Sequence, residues 1–170
     1  MPGLIIRYAG IDDLTRLTAI HNHYVRLSQA TFDERCLEPP ERRSWFETYR
    51  EAGPYRLLAA EMDGDVVGYA SSNRYREHPA FRDTIETSIY VDPREVGRGI
   101  GRALYTELFT RLGGEGLHRA LGGIALPNPG SMALHKRFGF REIGVFHEYA
   151  RKNGKRISSV WLEKALDGAW

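Results

Sequence analysis

Three glycines at alternate positions, Gly97, Gly99 and Gly101, follow an apolar, strand-like run near the middle of the chain. A strand that leads through such a loop into a helix directs unpaired backbone N–H groups and the positive end of the helix dipole at one point. Glycines let a diphosphate approach the backbone, and Arg98 and Arg102 can add charge-assisted hydrogen bonds. The loop therefore predicts an anion site, although a flexible loop that merely caps a helix has the same pattern.

Two other phosphate-binding motifs fit this loop poorly. A dinucleotide-binding loop belongs to an opening strand–helix–strand unit, whereas this loop comes after a predicted hairpin in mid-chain. A nucleoside triphosphate site would need a Gly-Lys-Ser/Thr sequence, which the loop lacks. The predicted anion is therefore a diphosphate that belongs to another kind of ligand.

A carboxylate stands on the strand that leads into the loop. Alternation along Thr84 to Val91 places Glu86, Ser88 and Tyr90 on one face of that strand. A carboxylate on the face of a central strand, close to the predicted anion site, is suited to acid–base chemistry. An ion pair with Arg76 or Arg82 is the simpler role for Glu86, and the sequence alone favours it.

Alternating strands and helices must position these residues. Apolar residues recur at helical spacing in four segments, which begin after Asp12 or Asp13, near Pro40, at Ile100 and at Pro129. An Asp63-Gly64 turn predicts a hairpin. Such an order predicts an α/β or α+β layer architecture. The predicted strands are Leu4 to Tyr8, Arg56 to Met62, Val66 to Ser71, Thr84 to Val91, Arg119 to Leu126, Ile143 to Arg151 and Ile157 to Glu163; the predicted helices run from Asp13 to Leu27, from Pro40 to Tyr49, from Ile100 to Leu112 and from Pro129 to Phe138, and Gln29 to Pro40 is predicted as loop.

Composition narrows the class of protein. The 170 residues suit one domain, and no apolar run approaches the roughly 20 residues of a membrane span. A net charge of +2 argues against nucleic acid as the main partner. Cys36 is the single cysteine, and His21 and His23 lie on different faces of a helix, so no metal site is expected. Because the first ten residues lack a signal-peptide pattern, we expect a cytoplasmic protein.

At the glycine loop the sequence resembles the GNAT acetyltransferase superfamily. The acyl-CoA motif of that family is Gln/Arg-x-x-Gly-x-Gly/Ala after a strand that ends in Val-x-Pro. The match runs from Val96 through Gly99 to Gly101, with Val91 and Pro93 before it. Val96 departs from the Gln or Arg of the family, but the family binds pyrophosphate mainly through backbone amides.

A second segment, residues 128–140, is similar to the family's Asn-x-x-Ser/Ala-x-x-Leu-Tyr-x-x-x-Gly-Phe. On a helix, Asn128, Ser131 and His135 would share one stripe, with Leu134 and Phe138 packed on the other side. The resemblance covers nearly the whole chain. It implies a GNAT-like fold, in which a mixed, mostly antiparallel central sheet is flanked by helices and two parallel strands splay at the acyl-CoA site. The residues implied to bind acetyl-CoA are Ile89, Tyr90, Val91, Val96, Gly97, Arg98, Gly99, Ile100, Gly101, Arg102, Asn128 and Ser131.

Within that superfamily the chain is similar to phosphinothricin and methionine sulfone N-acetyltransferases. The similar segments are 30–32, 68–71 and 86–91, together with His135 in place of the usual tyrosine. A Gly-x-Trp-x-Asp pattern frequent in that subfamily fails after Gly154. The resemblance implies acetyl transfer from acetyl-CoA to the amino group of a small amino acid or analogue, by a homodimer.

The resemblance also implies roles for individual side chains. Glu86 is the expected general base, acting through a water, and His135 stands at the general-acid position. Arg76 would hold a substrate carboxylate, Phe32 would form a wall of the acceptor pocket, and Thr31 would supply a polar contact. Another acceptor amine, such as a polyamine, an aminoglycoside or a protein N-terminus, is the alternative within enzymes, and an acyl-CoA-binding module without turnover is the alternative outside them.

Overall fold

A single sheet of seven strands organises the chain. The computed structural model describes residues 3–167, and its strand order is β1-β2-β3-β4-β5-β7-β6. No helix within that range is long and apolar enough to cross a membrane. The strands are β1 (Leu4–Tyr8), β2 (Leu57–Met62), β3 (Asp65–Arg74), β4 (Thr84–Val91), β5 (Arg119–Ala125), β6 (Arg141–Lys152) and β7 (Lys155–Ala165); the α-helices are α1 (Leu14–Leu27), α2 (Arg43–Phe46), α3 (Ile100–Leu112) and α4 (Pro129–Arg137).

One strand pair differs from the rest of the sheet. All neighbouring strands are antiparallel except β4 and β5, which run parallel and pair only where Thr84–Glu86 meets Arg119–Leu121. Beyond Glu86 the β4 strand continues along β3, whereas β5 continues along β7. The two strands therefore separate, and the mixed sheet with splayed parallel strands is confirmed.

Apolar clusters cover both faces of the sheet, as strand alternation requires. On one face Leu58 and Ala60 pack against the apolar stripe of α3, which includes Leu104 and Leu108. On the other face Leu57 and Ala59 pack with Leu17 and Ile20 of α1 and with the aromatic residues around α2. The glycine loop and α3 thus lie on one side of the sheet, and α1 and α2 lie on the other.

Most of the predicted elements are confirmed, and the differences concern helix ends and helix faces. The second helix is shorter than expected, because a 3₁₀ turn at Pro39–Arg42 precedes α2 and Tyr49 lies beyond its end. The apolar spacing of α1 runs from Leu14 to Leu27 and predicts that both face the core, but Leu27 is 72% exposed whereas Leu14 is buried. Periodicity alone thus extends the buried stripe too far at the last turn.

Asp92 connects the glycine loop to α1. Its buried carboxylate accepts hydrogen bonds from the Arg94 backbone N–H and guanidinium, and it also pairs with Arg16 of α1. The Arg94 and Arg16 partners hold the pKa of the Asp92 carboxyl well below its usual range. Asp92 therefore anchors the strand end from which the loop departs.

We expect Asp92→Asn to lower the free energy of unfolding by about 2 kcal/mol, because the substitution removes charged hydrogen bonds at a buried site. The pKa of the Asp92 carboxyl is lower in the folded than in the unfolded protein. The ionised carboxylate therefore stabilises the fold fully above the ordinary carboxyl pKa, and this stabilisation is lost as the pH falls. Urea unfolding at several pH values should therefore show a difference between wild type and variant that narrows below about pH 4. A difference that stays constant down to pH 3 would contradict this role.

Candidate active site

The backbone of the glycine loop has the geometry expected of an anion site. Gly97 has φ = 86° and Gly99 has φ = 79°, a left-handed region that side chains with a Cβ rarely adopt. Gly99 is the N-cap of α3, and the first backbone acceptor of the helix is its carbonyl, which binds the Ala103 N–H. Among residues 3–167, the N–H groups of Ile100, Gly101 and Arg102 have no backbone or side-chain acceptor. These donors face outward at the positive end of the helix.

The side chains around the loop contribute differently from one another. Arg102 is exposed and makes no ion pair with any described residue, whereas Arg98 pairs with Glu95. Val96 is 63% exposed, so it offers an apolar surface where the family prefers a polar side chain. At Gly101 a Cβ would lie 3.2 Å from Leu134 Cδ2. This glycine is needed for packing of α3 against α4, which the loop pattern did not predict.

The gap between β4 and β5 begins where their pairing stops, at Glu86 and Leu121. Along the rest of β4, including Ile89, Tyr90 and Val91, the edge toward β5 has no strand partner in the described structure. An extended ligand that carries amide groups can pair with such an edge, and a diphosphate at the far end fits the free N–H groups of α3. The residues present thus fit acetyl-CoA.

Asn128 and Ser131 have a local structural role at the start of α4. The Asn128 side chain caps the helix by accepting a hydrogen bond from the Ser131 N–H at 3.1 Å. This contact fixes the position of α4 beside β5. Binding of acetyl-CoA by either side chain stays a prediction.

His135 points into the core from the face of α4 that carries Ser131, whose hydroxyl lies 3.4 Å from His135 Nδ1. Its side chain is buried against Gly122 of β5, and a Cβ at Gly122 would lie 3.0 Å from the imidazole. Nδ1 lies 2.8 Å from the Ser131 carbonyl oxygen, so it carries the proton, and Nε2 accepts from the Tyr105 hydroxyl at 3.0 Å. Burial lowers the pKa of His135. Both nitrogens are occupied, and this placement does not support a general acid in contact with a leaving thiolate.

Glu86 lines a cavity of about 250 Å³ on the α1 and α2 side of the sheet. The predicted alternation is confirmed, because Ser88 and Tyr90 face the same cavity, whereas Ile85 is buried in the core on the α3 side. The cavity lies at the point where β4 and β5 separate. Its lining residues are His21, Arg42, Trp45, Tyr69, Ser71, Asn73, Glu86, Ser88 and Tyr90.

The carboxylate of Glu86 is half-buried and makes no ion pair or hydrogen bond with the described residues. Burial raises its pKa, with no neighbouring cation to offset the effect. The simpler expectation of an ion pair with Arg76 or Arg82 is wrong. Arg82 pairs with Asp83 at 3.6 Å, and Arg76 lies over the rings of Tyr75 and Phe81.

The other residues predicted to bind the acceptor lie outside this cavity. Phe32 is 42% exposed, contacts Tyr149, and lines a separate groove of about 810 Å³ beside the β6–β7 turn. Thr31 is bonded through its carbonyl to Lys152 and through its hydroxyl to Asp33. Neither side chain forms a wall beside Glu86.

Several residues that line the cavity were not predicted from the sequence as site residues. His21 of α1 and Arg42 of the 3₁₀ turn come from separate segments that only the tertiary structure brings beside Tyr69 and Tyr90. Asn73 pairs with Glu86 across β3 and β4, and its side chain donates to the Glu86 carbonyl and to Ser88. The polar residues at the end of β3, which include Asn73, are the one signal of this cavity that the sequence carries.

These features define an acyl-CoA-dependent N-acetyltransferase. The family model "Acetyltransferase (GNAT) family" matches residues 18–140, and the chain belongs to this family. The match spans the splayed strands and the glycine loop, and it ends with the turn that follows α4.

Curated relatives match over nearly their whole length. The chain is 45% identical over 171 residues to phosphinothricin N-acetyltransferase of Streptomyces coelicolor, covering 98% of this chain and 100% of the relative. It is 34% identical to an L-methionine sulfoximine/L-methionine sulfone acetyltransferase of Pseudomonas aeruginosa, covering 95% and 94%. The chain is thus an enzyme that uses acetyl-CoA, and its subfamily is that of the phosphinothricin and methionine sulfone acetyltransferases.

Solved structures agree with this assignment. An acetyltransferase from Salmonella typhimurium with its cofactor acetyl-CoA has a TM-score of 0.91 at 32% identity, covering 98% of this chain and 95% of that one. A GNAT superfamily phosphinothricin acetyltransferase from Sinorhizobium meliloti, in complex with acetyl-CoA, has a TM-score of 0.89 at 30% identity, covering 96% and 88%.

We expect Gly97→Ala to weaken coenzyme A binding about tenfold or more, because a Cβ at this site both strains the backbone and blocks approach of the diphosphate. Gly114→Ala is a matched control. Gly114 has φ = 85° against 86° at Gly97, and a Cβ at either position meets no atom within 4 Å. Calorimetric titration with coenzyme A should separate the two variants, and equal affinity would exclude the loop as the diphosphate site.

Proposed function

We propose that the protein transfers the acetyl group of acetyl-CoA to the α-amino group of a small amino acid that carries an oxidised phosphorus or sulfur group, with Glu86 as the base. The observation that carries this proposal is the unpaired Glu86 carboxylate in a cavity of about 250 Å³ beside the β4–β5 gap. The names of the relatives supply the class of acceptor.

The chemistry asks little of a base. An α-amine has a pKa of about 8, so roughly a tenth of it is neutral at pH 7. Glu86 accepts the first proton of an α-ammonium group through a water, and the neutral amine then forms the new N–C bond as the C–S bond breaks. The second proton, which the nitrogen loses as the amide forms, goes to solvent. Acetyl-CoA supplies the thioester carbonyl that the amine attacks. A backbone N–H at Tyr90 or Val91 is the proposed donor to the carbonyl oxygen.

The departing thiolate needs no dedicated acid. A thiol with a pKa of about 8.5 is a stable enough leaving group to take its proton from solvent. Because His135 has its Nδ1 proton bonded to the Ser131 carbonyl, we assign it the positioning of α4 against β5.

Arg76 is the proposed partner of the acceptor's α-carboxylate. Its guanidinium lies over Tyr75 and Phe81 without an ion pair to any described residue. The Tyr75 ring contacts Trp161 of β7, so Arg76 stands on the aromatic surface that borders the β4–β5 gap. A planar guanidinium held in this way is suited to bidentate contact with a carboxylate.

Thiol release tests the proposed function. The wild-type protein with acetyl-CoA should release free thiol with phosphinothricin and with methionine sulfone. It should release much less with spermidine, with an aminoglycoside or with a peptide N-terminus. Binding of acetyl-CoA without thiol release for any amine would identify a non-catalytic acyl-CoA-binding module instead.

We expect Glu86→Gln to lower kcat at pH 7 about 10²-fold or more, because the amide cannot accept the proton. Affinity for acetyl-CoA should stay within twofold, since Glu86 lies on the acceptor side of the gap. Glu107→Gln is the control, because Glu107 is half-buried like Glu86 but lies on α3, where it pairs with Arg111. Unchanged turnover in Glu86→Gln would remove this residue from the mechanism.

The pH profile gives an independent measurement. A base works in its ionised form, so the wild-type kcat should fall as the pH drops through the raised pKa of Glu86. The midpoint of the acid limb of the kcat profile should therefore lie above about pH 4.3, the ordinary pKa of a glutamate side chain. The same limb should be absent from the residual activity of Glu86→Gln.

We also propose a homodimer that works in the cytoplasm. The edge strand β6 exposes large apolar side chains, with Ile143 57%, Phe146 56% and Tyr149 49% exposed. An unpaired edge strand with such a surface is a natural site for a second copy. The free thiol of Cys36 suits a reducing compartment.

We expect Ile143→Asp to shift the protein from dimer to monomer, because the charge would be buried in the apolar contact. Ile5→Asp is the matched control: Ile5 is 56% exposed on β1, at the opposite edge of the sheet. Sedimentation velocity at micromolar concentration measures the mass of each variant in solution. Two variants with the same mass as wild type would exclude β6 as the interface.

A further inference from the structure

Arg42 is a buried cation without a counter-ion. The residue is 6% exposed, and its guanidinium donates to the Leu17 carbonyl oxygen at 3.2 Å and stacks 3.9 Å from the centroid of the Trp45 ring. Within residues 3–167 it makes no ion pair with a carboxylate. An uncompensated buried charge is costly, and most of the donor capacity of this side chain is unused.

Two further polar atoms beside Arg42 also lack partners. The Tyr69 hydroxyl and His21 Nδ1 are both buried, and neither has a hydrogen-bond partner in the described structure. The Tyr69 ring lies 5.9 Å from the Arg42 guanidinium, and both side chains line the same cavity as Glu86. Two unsatisfied polar atoms beside a guanidinium that makes one hydrogen bond and no ion pair indicate a site for an oxygen-rich ligand group.

The orientation of His21 limits what it can bind. Its Nε2 lies 2.8 Å from an Asp33 carboxylate oxygen, which places the ring proton on Nε2 and leaves Nδ1 as an acceptor in the neutral ring. Burial and the Arg42 charge lower the pKa of His21, so the neutral ring is favoured. Arg42 and the Tyr69 hydroxyl can therefore donate hydrogen bonds to a ligand. His21 Nδ1 can accept one, either from a protonated ligand oxygen or from the Tyr69 hydroxyl.

The cavity places these groups at the end opposite Glu86. In the β3–β4 register Tyr69 pairs with Tyr90, Ser71 with Ser88, and Asn73 with Glu86. Four residues along β4 separate Tyr90 from Glu86, which corresponds to about 13 Å between their Cα atoms. The cavity thus has an unpaired anion at one end and an unpaired cation at the other.

The distance between the two ends of the cavity determines which group of the acceptor can reach Arg42. An α-carboxylate is bonded to the same carbon as the amine, so it must stay beside Glu86 when the amine does. A group at the end of the amino acid side chain extends further. We propose that Arg42, with the Tyr69 hydroxyl, binds the oxygens of the acceptor's distal phosphinate, sulfone or sulfoximine group and selects amino acids that carry it.

This inference deepens the proposed function and rests on it. Glu86 receives the amine, Arg76 holds the α-carboxylate, and Arg42 recognises the far end of the side chain. The distal oxygens would accept hydrogen bonds from a buried cation that the protein alone leaves unpaired, and a phosphinate would also neutralise its charge. That gain is available only to acceptors with distal oxygens.

The test compares Arg42→Gln with wild type on three acceptors: phosphinothricin, norleucine, which has no distal oxygen, and the decarboxylated amine of norleucine. We expect the KM for phosphinothricin to rise about 10- to 100-fold, since a charged hydrogen bond is lost. The KM for norleucine and for its amine should change less than twofold. Arg42→Lys, which keeps the charge, should retain part of the preference.

Other outcomes overturn the inference. If the KM rises equally for phosphinothricin and norleucine and does not change for the amine, Arg42 binds the α-carboxylate instead. A parallel loss of kcat on all three acceptors would show a purely structural role. Arg56→Gln is the matched control for a lost buried guanidinium, because Arg56 is 7% exposed but pairs with Glu115. If wild type releases thiol with no amino acid, the proposed function fails before Arg42 is tested.

Discussion

The separation of β4 from β5 is the constraint on which the rest of the structure depends. Pairing stops after Glu86, because β4 follows β3 while β5 follows β7. An unpaired strand edge inside a sheet is unfavourable unless another group uses its hydrogen bonds. An extended acetyl-CoA arm can do so, and Glu86 lies at the point where the separation begins. The unpaired edge of β4 and the cavity lined by Glu86 are thus two results of one break in the sheet.

The elements around the break hold it open from both sides. On one side the free N–H groups of α3 lie at the end of the glycine loop, and a Cβ at Gly101 would crowd Leu134 of α4. His135 packs against Gly122 on β5 and keeps α4 in place. On the other side, Asp92 ties the end of β4 to α1, which carries part of the acceptor cavity. Packing on one face and ion pairing on the other therefore keep the two sites in register.

The acceptor cavity is defined by charge as much as by shape. Arg42 is buried and Glu86 is half-buried, and neither makes an ion pair with a described residue. Each would be stabilised by a ligand with the complementary charge at the matching end. An amino acid that carries an amine and a distal oxidised group has this distribution. A polycationic amine does not, since its second charge would face Arg42.

The sequence by itself determined what depends on local order. The strand bounds Thr84–Val91, the helix Ile100–Leu112, the alternation that turns Glu86 toward the acceptor side, and the glycine loop all follow from spacing between near neighbours. Tertiary structure alone decided the direction of His135, because a nine-residue helix packs on several sides and its buried stripe depends on what lies beneath it. It also decided that Phe32 lies apart from the cavity and that Arg42 and His21 lie in it. These residues come from segments far apart in the chain, and no spacing rule encodes which of them meet after α1 and α2 pack onto the sheet.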